Sequence, residues 1–383
     1  MGVTRVLVIG GGIAGTATAL ALRKAGFEVA VHEAHPDSAE DIGAFLTLAS
    51  NGMRALAQLD ASEAVTAIGF PLTSLRVMDG TGTEVAHAPM GEAGDPLLRY
   101  RCLRRGDLST ALQAEAARRG IALRHGARLA SVEEGPGGVT AHFTDGSTAT
   151  GDLLIGADGL NSAVRRSFAP DTQPFYAGQR VFYGYTRAAS PPAPDACITM
   201  VRGSAAAFGY TVSPDGETYW FARVTEGPLP AEELAEGTPT DWRALLLPLL
   251  REDTTPAADI VAATADELMV TNATEIPTGT AWRSGRTLLI GDAAHAASPA
   301  TGQGASMALE DAVVLAKSLR DAPDTDAALD LYETLRRPRV EHNITVSGNI
   351  SRGTHTPSAA RPSEEEVVRL LEWDSPVFPL RTI

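Results

Sequence analysis

Lysine is nearly missing from this chain: Lys24 and Lys317 are the two among 32 basic residues, leaving thirty arginines. Together with abundant alanine, that skew reads as the product of a GC-rich coding sequence and excludes no function. Cysteine is as scarce. Cys102 and Cys197 form neither a disulfide framework nor a metal-binding spacing, which fits a reducing cytosol. Positive charge is short as well, with 47 acidic residues, a net charge of −15 and a pI near 5.0. That balance argues against nucleic acid or an anionic membrane as a partner of the whole chain, while leaving room for a local basic pocket. The eight histidines include no i, i+4 pair suited to a metal, so no metal is expected. No Ser-His-Asp or Cys-His arrangement is indicated. Long apolar runs are lacking too, and nothing approaches the ~20 residues of a membrane span. Arg5 followed by Val6 to Leu22 imitates a signal peptide. However, three glycines crowd its middle, and no small-x-small cleavage site leads into a plausible mature start. A soluble, cytoplasmic protein is expected.

With 383 residues, 44% of them apolar and 21% charged, the chain is long enough for one large and one small unit. The pattern predicts a strand over Thr4–Ile9, a helix over Ile13–Ala25 and a strand over Glu28–Glu33, a βαβ unit. It also predicts a capped helix over Ser50–Asp60, an amphipathic helix over Arg104–Gly120, a hairpin through Thr144–Ser147 and a long helix from Gly304 to Arg320. From about Pro170 to Asn272, strand-like runs alternate with proline-rich turns, as in an antiparallel sheet. The polar tail carries a short helix near Glu364–Glu372 and is expected to end irregularly.

The βαβ unit holds Gly10-x-Gly12-x-x-Gly15, then Ala19, Gly26 and Glu33. Such a glycine string alone is weak, but here the flanking strand, helix and acidic strand end fall at the right distances. Gly10 permits the turn, Gly12 lets a pyrophosphate approach the backbone, and Gly15 with Ala19 lets helix pack on sheet. The helix start, with Ile13 and Ala14, offers N–H groups to phosphate. Glu33, next to Ala34, can accept both hydroxyls of an adenosine ribose and disfavours a 2′-phosphate. The ligand should be FAD or NAD rather than NADP.

Two later motifs choose between them. "DLLIGADGLNSAVR" (Asp152 to Arg165) joins a strand to Asp158-Gly159, Ser162 and Arg165. "TLLIGDAAHAASPATGQGASMALEDA" (Thr287 to Ala312) joins a strand to Gly291-Asp292, Pro299, a Gly302-Gln303-Gly304 turn and a helix. Asp292, at a strand end, can hold a ribityl hydroxyl. The Gly302–Gly304 turn opens a helix whose N–H groups, including those of Gln303 and Ala305, suit negative charge. Asp311 reads as a solvated helix residue, and His295 as a structural residue hydrogen-bonded to backbone. In this order the three motifs resemble the class A FAD-dependent aromatic monooxygenases of the para-hydroxybenzoate hydroxylase type, over most of residues 1 to 345.

The resemblance implies an α/β fold: a Rossmann-like FAD-binding domain with a smaller antiparallel-sheet substrate domain. The first would be discontinuous over 1–71, 100–169 and 277–345, the second would span 72–99 and 170–276, and 346–383 would form a helical tail. It further implies non-covalent FAD, NADPH or NADH as co-substrate, and O2. Asp158 would act at the phosphate region, Arg105 (with Arg104 as its neighbour) at the ribityl-phosphate portion, and Leu129 at the adenine. Thr47 would lie near the isoalloxazine. Pro299, Gly302 and Gly304 would line the reacting face. Ser306 stands where many members have asparagine. The implied chemistry is oxygen transfer from a flavin C4a-hydroperoxide, which needs a site that excludes water.

Electron-rich aromatics are the natural acceptors. Tyr183, Tyr185, Phe208, Tyr210 and Trp220, with Phe182, are the candidate pocket walls, half of them expected to be core instead. The partner is thus a small aromatic molecule, and the assembly a monomer or homodimer. Baeyer–Villiger insertion or epoxidation stays open on the same scaffold. A flavin halogenase is disfavoured, because Trp220, Trp242, Trp282 and Trp373 are isolated and both lysines fall in helices assigned to cofactor packing. A flavin-binding protein without turnover is disfavoured by the intact third motif.

Overall fold

Arg5–Ile9 is an apolar strand whose last four residues are buried, and it pairs in parallel with Glu28–His32 on one side and Leu153–Gly156 on the other. The computed structural model describes residues 4–38, 43–92, 94–357 and 362–377. These strands centre a six-stranded sheet. Ala122–Arg124 closes one edge, and Thr287–Leu289 with the antiparallel Arg283–Ser284 closes the other. Strands buried on both faces read as unbroken Val/Leu/Ile runs, as "RVLVI" and "LLIG" do.

The helix Ile13–Lys24 is buried from Gly15 to Leu22, which an all-round apolar sequence requires. It lies between this sheet and the helix Gly304–Asp321, which is itself buried from Ser306 to Ser318. Basic residues, Arg23 and Lys24, close the first helix at its negative end.

A seven-stranded sheet forms the second layer system. Its order is Leu268–Glu275, Phe175–Thr186, Thr218–Val224, Ala206–Val212, Cys197–Arg202, Ser74–Asp79 and Glu84–Pro89. All pairs are antiparallel except Cys197–Arg202 with Ser74–Asp79. The excursion near residues 74–89 therefore joins the middle of the chain in one sheet. A small sheet of Phe45–Leu48, Tyr100–Arg104 and Phe70–Leu72 lies between the two systems.

Side chains alternate across the seven-stranded sheet with period two. Phe182, Phe208, Tyr210, Trp220 and Ala222 form one core with Trp242, Leu246 and Ile260 of the helices Pro239–Leu250 and Ala257–Ala263. Tyr183, Tyr185, Tyr219 and Phe221 point the other way, against Phe45, Phe70 and Cys102.

Two boundaries differ from expectation. The helix Thr325–Arg352 continues straight through residue 346, because Ser347 and Ser351 are buried against the Ser298–Thr301 loop. The Ser50–Gln58 helix has no side-chain cap, since its N-cap is Ala49 and Ser50, already inside the helix, accepts the Glu92 N–H through Oγ. The irregular end expected beyond residue 377 lies outside the described residues.

Candidate active site

The opening turn cannot carry side chains at two of its three glycines. Gly10 has φ +105°, and a Cβ there would stand 2.4 Å from the Ala157 carbonyl oxygen. A Cβ on Gly15 would stand 1.9 Å from the Gly10 oxygen. At Gly12 a Cβ meets nothing within 4 Å. Gly12 caps the helix Ile13–Lys24 without a side-chain bond, so no capping side chain takes the N–H groups at the helix start. The Gly11 carbonyl is fixed from behind by Thr16 Oγ1 at 2.8 Å and Gln113 Nε2 at 2.7 Å. Glu33 accepts the Gly11 N–H at 2.5 Å through Oε2 and the His35 N–H at 2.6 Å through Oε1. Each oxygen keeps a lone pair. Ala34 follows Glu33 at the rim, half-buried.

Asp158 is engaged inside its own motif. Its carboxylate accepts the Ser162 hydroxyl at 2.5 Å and the N–H groups of Ala163 at 2.7 Å and Val164 at 3.1 Å. Arg165, buried, donates to Ala293 O at 2.7 Å and Leu160 O at 2.5 Å, so the second motif grips the third. Leu129 is buried at the start of the strand Leu129–Gly135.

In the third motif Gly291 has φ +55°, and a Cβ on it would meet Ala14 Cβ at 2.7 Å, which locks this turn onto the first helix. Asp292 and Arg105 face each other with Oδ2 and Nη2 4.0 Å apart, both side chains substantially exposed. Arg104 points elsewhere: it bonds Glu267 at 3.1 Å and Glu217 at 3.2 Å, and its guanidinium lies 4.0 Å from the Tyr185 ring centroid. Pro299–Thr301 is a single 3-10 turn ending in left-handed Gly302, φ +64°. Thr47 Oγ1 lies 3.3 Å from a Cβ at that glycine. Gln303 precedes the helix Gly304–Asp321 without a side-chain cap, so the N–H groups at its start, Ala305 included, are offered outward. Ser306 is fully buried, and its hydroxyl accepts the Ala49 N–H at 3.2 Å.

Two expectations need correction beneath this turn. Asp311 is not solvated; it is fully buried. His295 bonds it through Nε2 at 2.5 Å rather than bonding backbone, and Arg336 Nε donates to it at 2.8 Å. The Gly291 N–H completes its shell at 3.1 Å. Burial pushes the Asp311 carboxyl up, but His295 and Arg336 outweigh it and hold the group down at about 2. Glu310 beside it pairs with Arg336 and Arg339 and accepts Asn51 Nδ2 at 2.6 Å, while Asn51 also donates to Gln303 Oε1 at 3.1 Å. This buried charge cluster thus ends at the residue that starts the helix. Thr301 is held from behind by Asn343 at 2.9 Å and Ser347 at 3.3 Å. Thr301 and Gln303 also border a cavity of about 550 Å³ with a mixed lining, Asn51, Arg54 and Arg339 on its polar side and Met307, Val367 and Leu371 on its apolar side.

The aromatic wall differs from the one expected. Tyr183 and Tyr185 turn toward the small sheet, packing with Phe45, Phe70 and Cys102. Phe208, Tyr210 and Trp220 do not, because one step along a strand reverses the face; Trp220 Nε1 donates to Thr264 Oγ1 at 2.9 Å in the far core. Their place is taken by Tyr219, Phe221 and Arg223, with Phe45 opposite. In "ETYWFARV" the alternation itself carried that signal: Trp220, Ala222 and Val224 are the uniformly apolar, buried set. Arg223 reaches the 3-10 turn, where Nη1 donates to Ala300 O at 3.3 Å.

These features fit FAD. The backbone is open at Gly12 where a pyrophosphate needs space. An acid stands at the ribose end, a cation and an acid flank the middle of the cleft, and an uncapped helix start closes it. Comparisons with known proteins agree. Residues 3–347 match the family model described as FAD binding domain. The chain is 31% identical over 380 residues to the aurachin C monooxygenase/isomerase of Stigmatella aurantiaca, covering 96% of this chain and 94% of the relative. It is 32% identical over 368 residues to the 3-amino-4-hydroxybenzoate 2-monooxygenase of Streptomyces cremeus, covering 94% and 90%. The crystal structure of Klebsiella pneumoniae HpxO complexed with FAD and uric acid superposes with a TM-score of 0.81 at 28% identity, covering 97% of this chain and 93% of that one. The chain belongs to the FAD-binding domain family and, within it, to the class A FAD-dependent aromatic monooxygenases.

Proposed function

We propose that this enzyme hydroxylates an aromatic small molecule in secondary or catabolic metabolism, with non-covalent FAD, a nicotinamide as electron donor and O2. One observation carries the reading. The face of the seven-stranded sheet that carries Tyr183, Tyr219 and Phe221 meets the Pro299–Gly304 turn through Arg223, which donates to Ala300 O at 3.3 Å, and the same third motif holds Asp292 4.0 Å from Arg105. When bound, FAD supplies the redox chemistry, taking electrons from NADH or NADPH and activating dioxygen.

The chain's own residues bind, orient and exclude water. The N–H groups at the start of Ile13–Lys24 receive the pyrophosphate. Glu33 uses its remaining lone pairs on the ribose hydroxyls. Asp292 takes a ribityl hydroxyl, and Arg105 the neighbouring phosphate. Asp158 and Arg165 act as positioning residues, holding the second motif against Ala293. The N–H groups of Gln303 to Ala305 stabilise negative charge at the pyrimidine edge, while the Gly302 N–H is spent on Pro299 O at 3.0 Å within the turn. Pro299, without an N–H, leaves the reacting face free of a competing donor. Phe45, Tyr183, Tyr219 and Phe221 keep water away from the reacting atoms. Burial pushes the Tyr183 phenol up to about 12, against the pull of Arg105 and Arg223. Near neutral pH it is therefore a hydrogen-bond donor and not a base.

The test is anaerobic reduction of the FAD-loaded protein by NADPH and then NADH, with and without a panel of aromatics, followed by aeration and mass analysis of the product. Faster bleaching with one aromatic class and a product heavier by one oxygen are expected. The position of that oxygen separates ring hydroxylation from epoxidation or ring expansion. A protein that takes up no FAD would sink the proposal.

A further inference from the structure

A single side chain joins the start of the helix Gly304–Asp321 to the buried charge cluster two turns further along it. Gln303 and Glu310 are seven residues apart and so lie on one face of that helix. Asn51, from the first turn of the helix Ser50–Gln58, bridges them: its Nδ2 lies 3.1 Å from Gln303 Oε1 and 2.6 Å from Glu310 Oε1. The polarity of this bridge is forced. Burial pushes the Glu310 carboxyl up, but Arg336 and Arg339 outweigh it and hold the group below its ordinary range. An ionised carboxylate only accepts, so Asn51 turns its amide NH2 to Glu310. The second hydrogen of that NH2 then reaches Gln303, which must answer with its oxygen.

The consequence falls on Gln303 Nε2. With its oxygen held by Asn51, the amide faces its two donors away from the cluster, and among the described residues no acceptor takes them. Gln303 immediately precedes the helix, so these donors add to the uncapped backbone N–H groups at its positive end. The same corner is braced twice more. Ser306 Oγ accepts the Ala49 N–H at 3.2 Å, and a Cβ on Gly52 would stand 2.7 Å from that oxygen. Thr47, on the strand leading into Ser50–Gln58, reaches within 3.3 Å of the Cβ position of left-handed Gly302. Packing alone does not call for an amide at position 51, because Glu310 already has Arg336 and Arg339. What the amide adds is the orientation of Gln303.

A hydride from the nicotinamide brings two electrons and a proton, so the reduced flavin carries one negative charge, spread over N1 and the C2 carbonyl. Donors already aimed at that charge favour the reduced form over the oxidised one without reorganising. Resting on the function proposed above, we infer that Asn51 is a positioning residue for cofactor reduction. Acting through Gln303, it keeps the donors at the start of Gly304–Asp321 aimed at the pyrimidine edge of FAD. Its effect falls on the balance between reduced and oxidised FAD, and hardly on how much oxidised FAD is bound.

The test is the midpoint potential of the FAD-loaded full-length enzyme, read near neutral pH by anaerobic dithionite titration against a dye of known potential. No substrate is needed. Asn51→Leu, close in shape and without donors, should lower the preference for reduced over oxidised FAD about tenfold, a fall of about 30 mV for a two-electron couple. The dissociation constant of oxidised FAD should change less than about threefold. In a Gln303→Met background the same Asn51→Leu change should move the preference less than about twofold. A residue that acts through another loses its effect once that other is gone. Should Asn51→Leu not fold, Asn51→Ser, whose short hydroxyl reaches one partner only, carries the same expectation. The inference is overturned by a shift below about threefold in the single variant, or by one above about twofold in the Gln303→Met background. It is also overturned if the single variant weakens oxidised FAD more than about threefold, which would make Asn51 a general support of the cofactor site. Failure of the monooxygenase proposal would look different: the potential responds as expected, but no aromatic speeds nicotinamide oxidation.

Discussion

A single methyl group separates two roles among the opening glycines. On Gly15 it would collide with the Gly10 carbonyl at 1.9 Å, and no flexible side chain can yield there. Gly15→Ala should therefore destabilise the apoprotein by about 3 kcal/mol, the upper end of ordinary overpacking. On Gly12 the same methyl group meets nothing, so Gly12→Ala should cost the apoprotein less than about 1 kcal/mol. It should nevertheless weaken FAD roughly tenfold, since 1.4 kcal/mol of lost phosphate contact suffices. Thermal melts of the apoproteins and fluorescence titration with FAD separate the two. If Gly12→Ala melts like Gly15→Ala, the assignment of Gly12 to the ligand is wrong.

At the scale of elements, the helix Gly304–Asp321 is anchored by a buried cluster: His295, Asp311, Arg336, Glu310 and Arg339. Such clusters add little compared with a well-packed apolar core, but losing one member leaves the others uncompensated. Asp311→Asn should cost about 3 kcal/mol in urea unfolding. The acid limb follows from the sign of the shift. The folded carboxyl sits at about 2, below its ordinary 3.8, so the ionised group stabilises the fold above pH 4. That stabilisation is lost as pH falls toward 2, a contribution on the order of 2 kcal/mol. Urea melts from pH 5 to pH 2 should show a limb that is shallower in Asp311→Asn. Identical limbs would remove Asp311 as its cause.

At the scale of the whole molecule, the two lysines share one task. Lys317 Nζ donates to Leu370 O at 2.6 Å and Glu372 O at 2.5 Å. Lys24 lies over the Trp373 ring at 5.0 Å, and Arg320 donates to the Trp373 carbonyl at 2.7 Å. Together they fasten the helix Glu364–Leu371 across the FAD-binding half, where Val367 and Leu371 border the cavity beside Gln303. Lys317→Met should release that helix while the sheets stay folded. Limited trypsin digestion should then cut at Arg369 at least about tenfold faster, with midpoint stability lowered by roughly 2 kcal/mol for the unpaired carbonyls. An unchanged cleavage rate would mean that the apolar contacts of Val367 and Leu371 suffice.

The family, the βαβ opening and the course of the third motif were legible in the sequence, because each depends on residues a few positions apart. Gly10 and Gly15 are required by backbone contacts that a glycine announces, Gly291 by the approach of Ala14 Cβ, and Asp292 comes three residues after its strand. Tertiary structure alone decided which way side chains point and what they meet. Asp311 lies in a helix whose pattern permits exposure; its burial is set by Arg336, 25 residues later. Arg104 and Arg105 are adjacent, yet one crosses to the sheet and the other turns to Asp292. Tyr219, Phe221 and Arg223 replace the expected Phe208, Tyr210 and Trp220 because a strand offers two faces. Composition does not say which face a helix pair covers and which turns to the cleft; that is fixed by helices and strands far away in the chain, packing on one side only.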